Sequence, residues 1–314
     1  MSKIQRFVNT NELGAGTRGT SLSFEALRME SLNTGFDLGN VFYLFNNNEI
    51  LFNKLIKQYE YALNIDGILK YYEKNIDILM TEINTSNNQL FFSADHASTG
   101  LYLSAFKRLN PESRIGIIWI DAHGDMHSPY TSPSGNMHGM TLNMSLRQDN
   151  LEVKKRDIPD EIKAKWKKLQ NLSGNEAAID FKDLVFIGIR DLEYEEEYIL
   201  TKNNVKHFNM DEIHNEGIES IAKSTLNKLV DCDHIFISFD VDSMDPDEVS
   251  FGTGTPVKNG LTLDEAKQLL DILTSSDKKT TFEVVEINPL LDTKNEMSKK
   301  TLELLEIVYK NLEK

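Results

Sequence analysis

The residues best suited to chemistry are carboxylates and histidines that follow strand-like runs of the chain. They are Asp95 and His96 after QLFFS, Asp121, His123, Asp125 and His127 after IGIIWI, Asp240 and Asp242 after HIFISF, and Glu286 after TFEVV. In an open parallel sheet the loops that leave the carboxyl ends of neighbouring strands converge on one crevice. Like charges a few ångströms apart cannot all stay ionised without compensation. The sequence therefore predicts that cations bind where these carboxylates meet.

Two divalent cations would balance the charge of the four aspartates Asp121, Asp125, Asp240 and Asp242. Oxygen and imidazole ligands without a thiolate favour Mn, Co, Fe or Zn, and four carboxylates favour the harder of these metals. Paired metals make a nucleophile from water near neutral pH. Taken singly, an Asp-x-Asp pair after a strand is as often a helix cap, and a lone histidine such as His96 is more often structural. The combination indicates a hydrolytic metal centre.

The elements that must position these residues alternate along the chain. Runs rich in β-branched and aromatic residues predict strands at 41–45, 89–93, 115–120, 184–189, 234–239 and 281–287. Apolar residues at helical spacing predict helices within 50–84, 97–109, 218–230, 262–275 and 297–312. This alternation predicts an α/β fold, a doubly wound and mainly parallel sheet with helices on both faces.

We expect residues 1–314 to form a single domain, with a charged surface insertion at about 150–180 that carries one helix around 161–172. The net charge of −15 disfavours nucleic acid as a partner. A single cysteine, Cys232, excludes an internal disulfide, and it is predicted to be a small buried hydrophobe. The first residues lack the apolar region of a secretory signal and no run reaches a membrane span, so a cytoplasmic protein is expected. His207, His214 and His234 are assigned no chemistry.

Together the motifs resemble those of the arginase-like ureohydrolase family, and within it a bacterial arginase. The segment 121–125 (DAHGD) is similar to the family's Asp-Ala-His-x-Asp motif, and 238–246 (SFDVDSMDP) is similar to its second metal motif. Further similarities lie at 14–19, 95–96, 254–256 and 286–289, in the family's order. The resemblance implies a three-layer α/β/α fold, and trimers or hexamers are common in the family.

The resemblance also implies two divalent metal ions per chain, usually manganese (Mn²⁺), with cobalt (Co²⁺) expected in some bacterial members. One ion would be held by His96, Asp121, Asp125 and Asp240, and the other by His123, Asp121, Asp240 and Asp242. The implied reaction is hydrolysis of a guanidino substrate, most simply L-arginine and water to L-ornithine and urea.

A guanidinium is always protonated in water and is a poor electrophile, so its hydrolysis needs a strong nucleophile, a fixed substrate and a proton for the leaving amine. By the resemblance, Asp125 would hydrogen-bond the activated water, Glu286 would orient the guanidinium and His138 would relay the proton.

A loop at 134–139 (SGNMHG) resembles the arginase loop that contacts the substrate α-carboxylate. By this resemblance, Ser134 and Asn136 would contact the α-carboxylate, and Glu193 would contact the α-amino group. His127 and Thr255 complete the predicted substrate rim. The alternative interpretation of 131–139 is an ordinary surface loop.

The sequence departs from the family pattern at four places. The usual Gly-Gly before Asp95 is Ser-Ala at 93–94, His127 stands where Asn is usual, and Glu193 stands where most arginases have Asp. The stretch between Asp242 and Thr255 is one residue longer than usual. These departures remove no metal ligand, but they place His127 and the longer loop where they could alter substrate or metal preference.

Other functions are consistent with the same residues. An agmatinase, a guanidinobutyrase or a formimidoylglutamase would share the metal core. A deacetylase of the related fold would use one zinc and would not need both Asp125 and a second full ligand set. A non-enzymatic metal-binding protein on the same fold is the remaining alternative.

Overall fold

A computed structural model describes residues 4–46 and 59–314. Its centre is an eight-stranded sheet with the order β2-β1-β3-β8-β7-β4-β5-β6, in which each strand pair is parallel. The strands are β1 Ile4–Asn9, β2 Phe42–Tyr43, β3 Asn88–Ser93, β4 Ile115–Ile120, β5 Leu184–Ile187, β6 Lys206–Phe208, β7 His234–Asp240 and β8 Lys279–Val285.

Helices connect successive strands and cover the sheet. They are α1 Ser23–Thr34, α2 Ile65–Glu82, α3 Thr99–Leu109, α4 Thr141–Ser145, α5 Asp160–Gln170, α6 Tyr194–Lys202, α7 Met210–Glu216, α8 Ile218–Lys228, α9 Leu263–Thr274 and α10 Glu296–Leu312. None of the described helices is long and apolar enough to cross a membrane.

The sheet is buried on both faces, as its apolar strands predict. Alternate side chains of a strand point to opposite sides, and in β4 Ile117 and Trp119 join one apolar cluster while Ile118 and Ile120 join the other. The first cluster packs under α2, α3 and α5, and the second packs under α1, α8, α9 and α10. The result is the predicted three-layer α/β/α architecture.

Most predicted elements are confirmed with boundaries shifted by a few residues. The predicted helix at 50–84 is α2, which begins at Ile65, and residues 50–58 of that prediction lie outside the described part of the chain. Segment 150–180 contains α5, and its side chains Ile162, Trp166 and Leu169 are buried in the first cluster. This segment is therefore part of the core as well as of the surface.

The sheet order brings the predicted chemistry to one edge. After β3 the chain crosses to β4, and it later returns to place β7 and β8 between these two strands. The carboxyl ends of β3, β8, β7 and β4 are therefore neighbours. In parallel sheets such a reversal of strand order opens a crevice at that end, where ligands bind.

Candidate metal centre and active site

The first group of candidate ligands is built around His96, which follows β3. Its Nδ1 lies 3.3 Å from Asp121 Oδ2, 3.0 Å from Asp125 Oδ2 and 3.3 Å from Asp240 Oδ2. All four side chains are buried. These residues come from the ends of β3, β4 and β7, so the parallel sheet alone brings them together.

The second group is built around His123 and shares Asp121 with the first. His123 Nδ1 lies 3.4 Å from Asp121 Oδ1 and 3.2 Å from Asp242 Oδ2. Within each of the groups His96–Asp121–Asp240 and Asp121–His123–Asp242, the candidate ligand atoms lie within 4.8 Å of one another. Asp121 therefore directs one carboxylate oxygen to each group.

Hydrogen bonds fix the orientation of these carboxylates. Trp119 donates its indole N–H to Asp121 Oδ2 at 2.9 Å, and the backbone N–H of His123 donates to Asp121 Oδ1 at 2.8 Å. The backbone N–H of Asp242 donates to Asp240 Oδ1 at 2.8 Å. The indole of Trp119 also stacks on the His96 ring, with the ring centres 4.2 Å apart.

Two residues of the centre have left-handed backbone conformations. Asp125 has φ of 48° and Glu286 has φ of 67°. Such conformations are unfavourable for residues other than glycine, by about 1–3 kcal/mol each, and they cluster at functional sites. Both positions lie in the loops that follow β4 and β8, at the carboxyl end of the sheet.

The charge distribution of the centre suits metal cations. Burial and the neighbouring carboxylates raise the pKa of Asp240 and Asp125, and burial likewise raises that of Asp242 despite His123 nearby. Burial opposes ionisation of Asp121 too, but its bonds with His123 and His96 outweigh it and lower its pKa.

In the described ranges 4–46 and 59–314, the ion pairs of these four aspartates are all with histidines. Buried anions of this number require more positive charge than two imidazoles supply. Two divalent cations would provide it, and the set of imidazole nitrogens and carboxylate oxygens is one that Mn²⁺, Co²⁺ or Zn²⁺ accepts. The residues present therefore fit a binuclear metal site.

His138 and Glu286 form a pair beside the first group. His138 Nδ1 lies 3.2 Å from Glu286 Oε1, which also accepts from the backbone N–H of His96 at 3.2 Å. Burial opposes protonation of His138, but the hydrogen bond and the charge of Glu286 outweigh it and raise the pKa of His138 to about 9. His138 is therefore a cation near neutral pH and can donate a proton.

A cavity of about 270 Å³ opens over the metal centre. Its walls include the five predicted substrate contacts and the predicted proton donor: His127, Ser134, Asn136, His138, Glu193 and Thr255. Ser134, Glu193 and Thr255 are exposed, and Asn136 is half-buried. The structure thus brings the predicted substrate residues together around one opening.

A hydrogen-bonded acidic cluster lies at one side of this cavity. His127 Nε2 lies 3.1 Å from Glu193 Oε2 and 3.7 Å from the buried Glu196 Oε2. The bond from His127 lowers the pKa of Glu193 to about 2, whereas burial and the nearby Glu193 raise that of Glu196. Glu193 is the N-cap of α6, and Glu196 completes its capping box. Glu193 is therefore held as an anion at the opening.

Close contacts also order the loop of Ser134 and Asn136 in the cavity wall. The Oγ of Ser134 accepts from the backbone N–H of Asn136 at 3.2 Å, which orders the tip of the loop. A Cβ on Gly16 would lie 2.9 Å from Asn136 Nδ2, so only glycine fits there without moving the amide. Gly16 therefore packs directly against the side chain of Asn136. Thr255, which also lines the cavity, donates to Asp242 Oδ2 at 3.0 Å.

Sequence reasoning missed several residues of the site. Glu196 and Asp191 line the cavity, and Trp119 and Ser238 contact metal-ligand candidates. The spacing of Glu193 and Glu196 is a capping-box signal that could have identified Glu196. Trp119 and Ser238 lie inside apolar strands, where nothing in the sequence separates them from core residues.

Comparisons with known proteins agree with this geometry. A family model described as the arginase family matches residues 11–308. The arginase of Bacillus subtilis (strain 168) is 31% identical over 304 residues, covering 94% of this chain and 93% of that protein.

Solved structures show the same fold. The arginase of Bacillus caldovelox superposes with a TM-score of 0.81 at 27% identity, covering 98% of both chains. The formimidoylglutamase of Bacillus subtilis superposes with a TM-score of 0.72 at 18% identity, covering 99% of this chain and 87% of that one. The second match concerns the fold alone, so architecture does not separate these two activities.

Proposed function

The chain belongs to the arginase family of hydrolases, which act on guanidino or amidino substrates, and we propose that its substrate is L-arginine, converted with water to L-ornithine and urea. The observation that carries the proposal is the single cavity that joins the paired His/Asp groups to the loop of Ser134, Asn136 and His138. A guanidinium at the buried end would leave the substrate's α-carbon at this loop.

We propose that two divalent ions bind in the centre, Mn²⁺ in the first instance and Co²⁺ as the alternative. Their ligands would be His96, Asp121, Asp125 and Asp240 for one ion and His123, Asp121, Asp240 and Asp242 for the other. When bound, such a pair supplies the Lewis acidity that makes water a nucleophile near neutral pH.

The protein's own residues would then orient and exchange protons. Asp125, at the floor of the cavity, would accept a hydrogen bond from the attacking water through a carboxylate oxygen. Glu286 would hold the guanidinium by a charge-assisted pair. His138, protonated because Glu286 raises its pKa to about 9, would pass a proton from its ring to the departing amine.

The outer wall would recognise the amino-acid end of the substrate. Ser134 and Asn136 would donate hydrogen bonds to the α-carboxylate, and Thr255 would complete the rim. Glu193, held anionic by His127, would attract the α-ammonium group. This arrangement favours a substrate that carries both groups on one carbon.

Agmatinase, guanidinobutyrase and formimidoylglutamase activities are the alternatives, because each would use the same metal core with different contacts at the rim. A non-enzymatic metal-binding protein is less well supported, since all six proposed ligand positions, Glu286 and His138 are present.

The discriminating experiment measures product release from L-arginine, agmatine, 4-guanidinobutyrate and N-formimino-L-glutamate, with Mn²⁺ and with Co²⁺. Bound substrate would cover the polar groups of the rim, and each one then left unpaired is unfavourable by about 1–3 kcal/mol, so L-arginine should be preferred over agmatine by at least about tenfold in kcat/KM. Asn136→Ala should shrink this ratio without abolishing hydrolysis, whereas Asn175→Ala in an exposed loop should leave it unchanged.

Turnover of agmatine or N-formimino-L-glutamate without turnover of L-arginine would overturn the substrate assignment and leave the family assignment intact. A protein that binds both metals and releases product from none of the four would favour the non-enzymatic alternative.

A further inference from the structure

A buried glutamate that takes no part in the proposed reaction lies directly beneath the metal centre. Glu283 is in β8, is fully buried, and is paired in register with Ser238 of the neighbouring strand β7. A carboxylate in the middle of a sheet is unfavourable unless hydrogen bonds or charges compensate for its lost hydration. Its position therefore requires an explanation that packing does not give.

The contacts of Glu283 form a hydrogen-bonded chain of side chains that ends at His96. Ser238 Oγ donates to Glu283 Oε2 at 2.9 Å, and Ser238 Oγ lies 2.9 Å from His96 Nε2. Thr99, the first residue of α3, donates to the same Oε2 atom at 2.7 Å. The chain thus links β8, β7 and the loop after β3 across the base of the crevice.

The polarity of this chain is set by its carboxylate end. The hydroxyls of Ser238 and Thr99 both donate to Glu283 Oε2, which is the arrangement of a carboxylate oxygen that accepts, so the hydroxyl hydrogen of Ser238 is directed to Glu283. The Ser238 oxygen is then an acceptor, and His96 must carry its hydrogen on Nε2 to donate to it. His96 Nδ1, which faces Asp121, Asp125 and Asp240, is left with the lone pair that a metal ligand requires.

We propose that Glu283 is a positioning residue, which acts through Ser238 to fix the tautomer and orientation of His96 and thereby strengthens metal binding at the His96 group. Metal-ligating histidines commonly donate their second ring N–H to such a partner, which also makes the ring a stronger ligand. The inference rests on the metal centre in the proposed function, and it assigns Glu283 no contact with substrate.

The buried carboxylate of Glu283 allows a positioning role to be distinguished by experiment from a purely structural one. The hydrogen-bond partners of Glu283 are neutral hydroxyls, and its Oε1 has no partner among the described residues. Neutralising Glu283 should therefore leave the metal-free protein at least as stable, because the desolvated charge is removed. The same change should weaken metal binding, because a charge-assisted bond is replaced by a weaker neutral one.

The test compares metal-free wild-type protein with Glu283→Gln, Ser238→Ala and the double variant, using calorimetric titration with Mn²⁺ and thermal unfolding. We expect one of two binding steps to weaken by about 10–100-fold in each single variant, with the second step much less affected. The double variant should bind Mn²⁺ no more weakly than the weaker-binding single variant, because both changes interrupt the same series of hydrogen bonds. The melting temperature of metal-free Glu283→Gln should equal or exceed that of wild type.

Thr281→Val is the matched control. Thr281 lies two residues earlier in β8, is buried, and bonds to Gln89 and His234 instead of to the His96 chain. It should lower the melting temperature and leave both metal affinities unchanged. Ser238→Ala keeps Glu283 charged, so it carries the test on its own if Glu283→Gln fails to fold.

Wild-type affinities in both Glu283→Gln and Ser238→Ala would overturn the inference while leaving the proposed function standing. Equal weakening of both binding steps together with a lower metal-free melting temperature would also overturn it, because that is the behaviour of a structural residue. A wild-type protein that binds no divalent metal would instead remove the proposed metal centre, and this inference with it.

Discussion

At the scale of single residues, the aspartates of the metal centre differ in pKa according to their neighbours. Asp121 has a lowered pKa because each of its oxygens meets a histidine. Asp240, equally buried, has a raised pKa because burial and the charges of Asp242 and Asp121 act on it. Asp121 is therefore held ionised by the protein itself, whereas Asp240 needs an added cation to ionise readily.

Two variants should separate the effect on metal binding from the effect on catalysis. Asp240→Ala should lower metal occupancy, because it removes a carboxylate proposed to serve both ions. His138→Ala should keep both metals and lower kcat by about 10²–10⁴-fold, the usual contribution of a general acid or base. Metal content by elemental analysis and steady-state kinetics on L-arginine measure the two effects.

Asp277→Ala, which changes an exposed aspartate, is the control and should alter neither quantity. An unchanged kcat in His138→Ala would remove His138 from the proton-donor role. Full metal occupancy in Asp240→Ala would remove Asp240 from the ligand set.

The sequence predicted the metal-ligand candidates because they lie in short motifs directly after strands. Asp121, His123 and Asp125 need only the end of β4 to be brought together. Ser238 and Glu283 could not be predicted in the same way, because they meet only when β7 and β8 pair in register. The contact between them depends on how the strands pair and is not visible in the local sequence.

At the scale of elements, the strands and helices with the clearest pattern of apolar residues were the ones that the sequence predicted. β4 was predicted at its observed bounds, because IGIIWI is continuously apolar. β1 and β6 were missed, since they carry polar residues such as Arg6 and Lys206, and β6 has only three residues. α1 was also missed, because Leu32 is exposed while Glu30 is buried, against the pattern of an amphipathic helix.

Segment 150–180 can be tested as an element of the core. Trp166 of α5 is only 1% exposed, and its indole N–H donates to Asp149 at 3.0 Å. Trp166→Ala should lower the free energy of unfolding by about 3–5 kcal/mol, from lost burial and the cavity left behind. Denaturant unfolding measures this, with the exposed Lys168→Ala as the control. A change below about 1 kcal/mol would mean that the segment is a dispensable surface addition.

At the scale of the whole molecule, the topology concentrates acidic charge at one edge of a chain that is already acidic. The formal net charge is −15, and the buried carboxylates of the centre lie at the carboxyl ends of β4, β7 and β8. The sequence predicted this edge from the alternation of strands and helices, but it did not predict the strand order. That order depends on where β7 and β8 insert, which is decided by tertiary packing.

The charge of this edge predicts that metal binding stabilises the whole fold. A ligand that binds only the folded state adds RT ln(1 + [L]/Kd) to the free energy of unfolding, about 2.7 kcal/mol at a hundredfold excess over Kd. Removing metal with a chelator should therefore lower the melting temperature and abolish activity, and added Mn²⁺ or Co²⁺ should restore both in a concentration-dependent way. Thermal unfolding and urea release, followed together during titration of metal-free protein, measure this coupling. Asp240→Ala should show a much smaller rise in melting temperature on adding metal, because a proposed ligand of the His96 group is missing. Full activity in verified metal-free protein, with a melting temperature indifferent to metal, would end the binuclear hypothesis, because the four buried aspartates would then need no added cation.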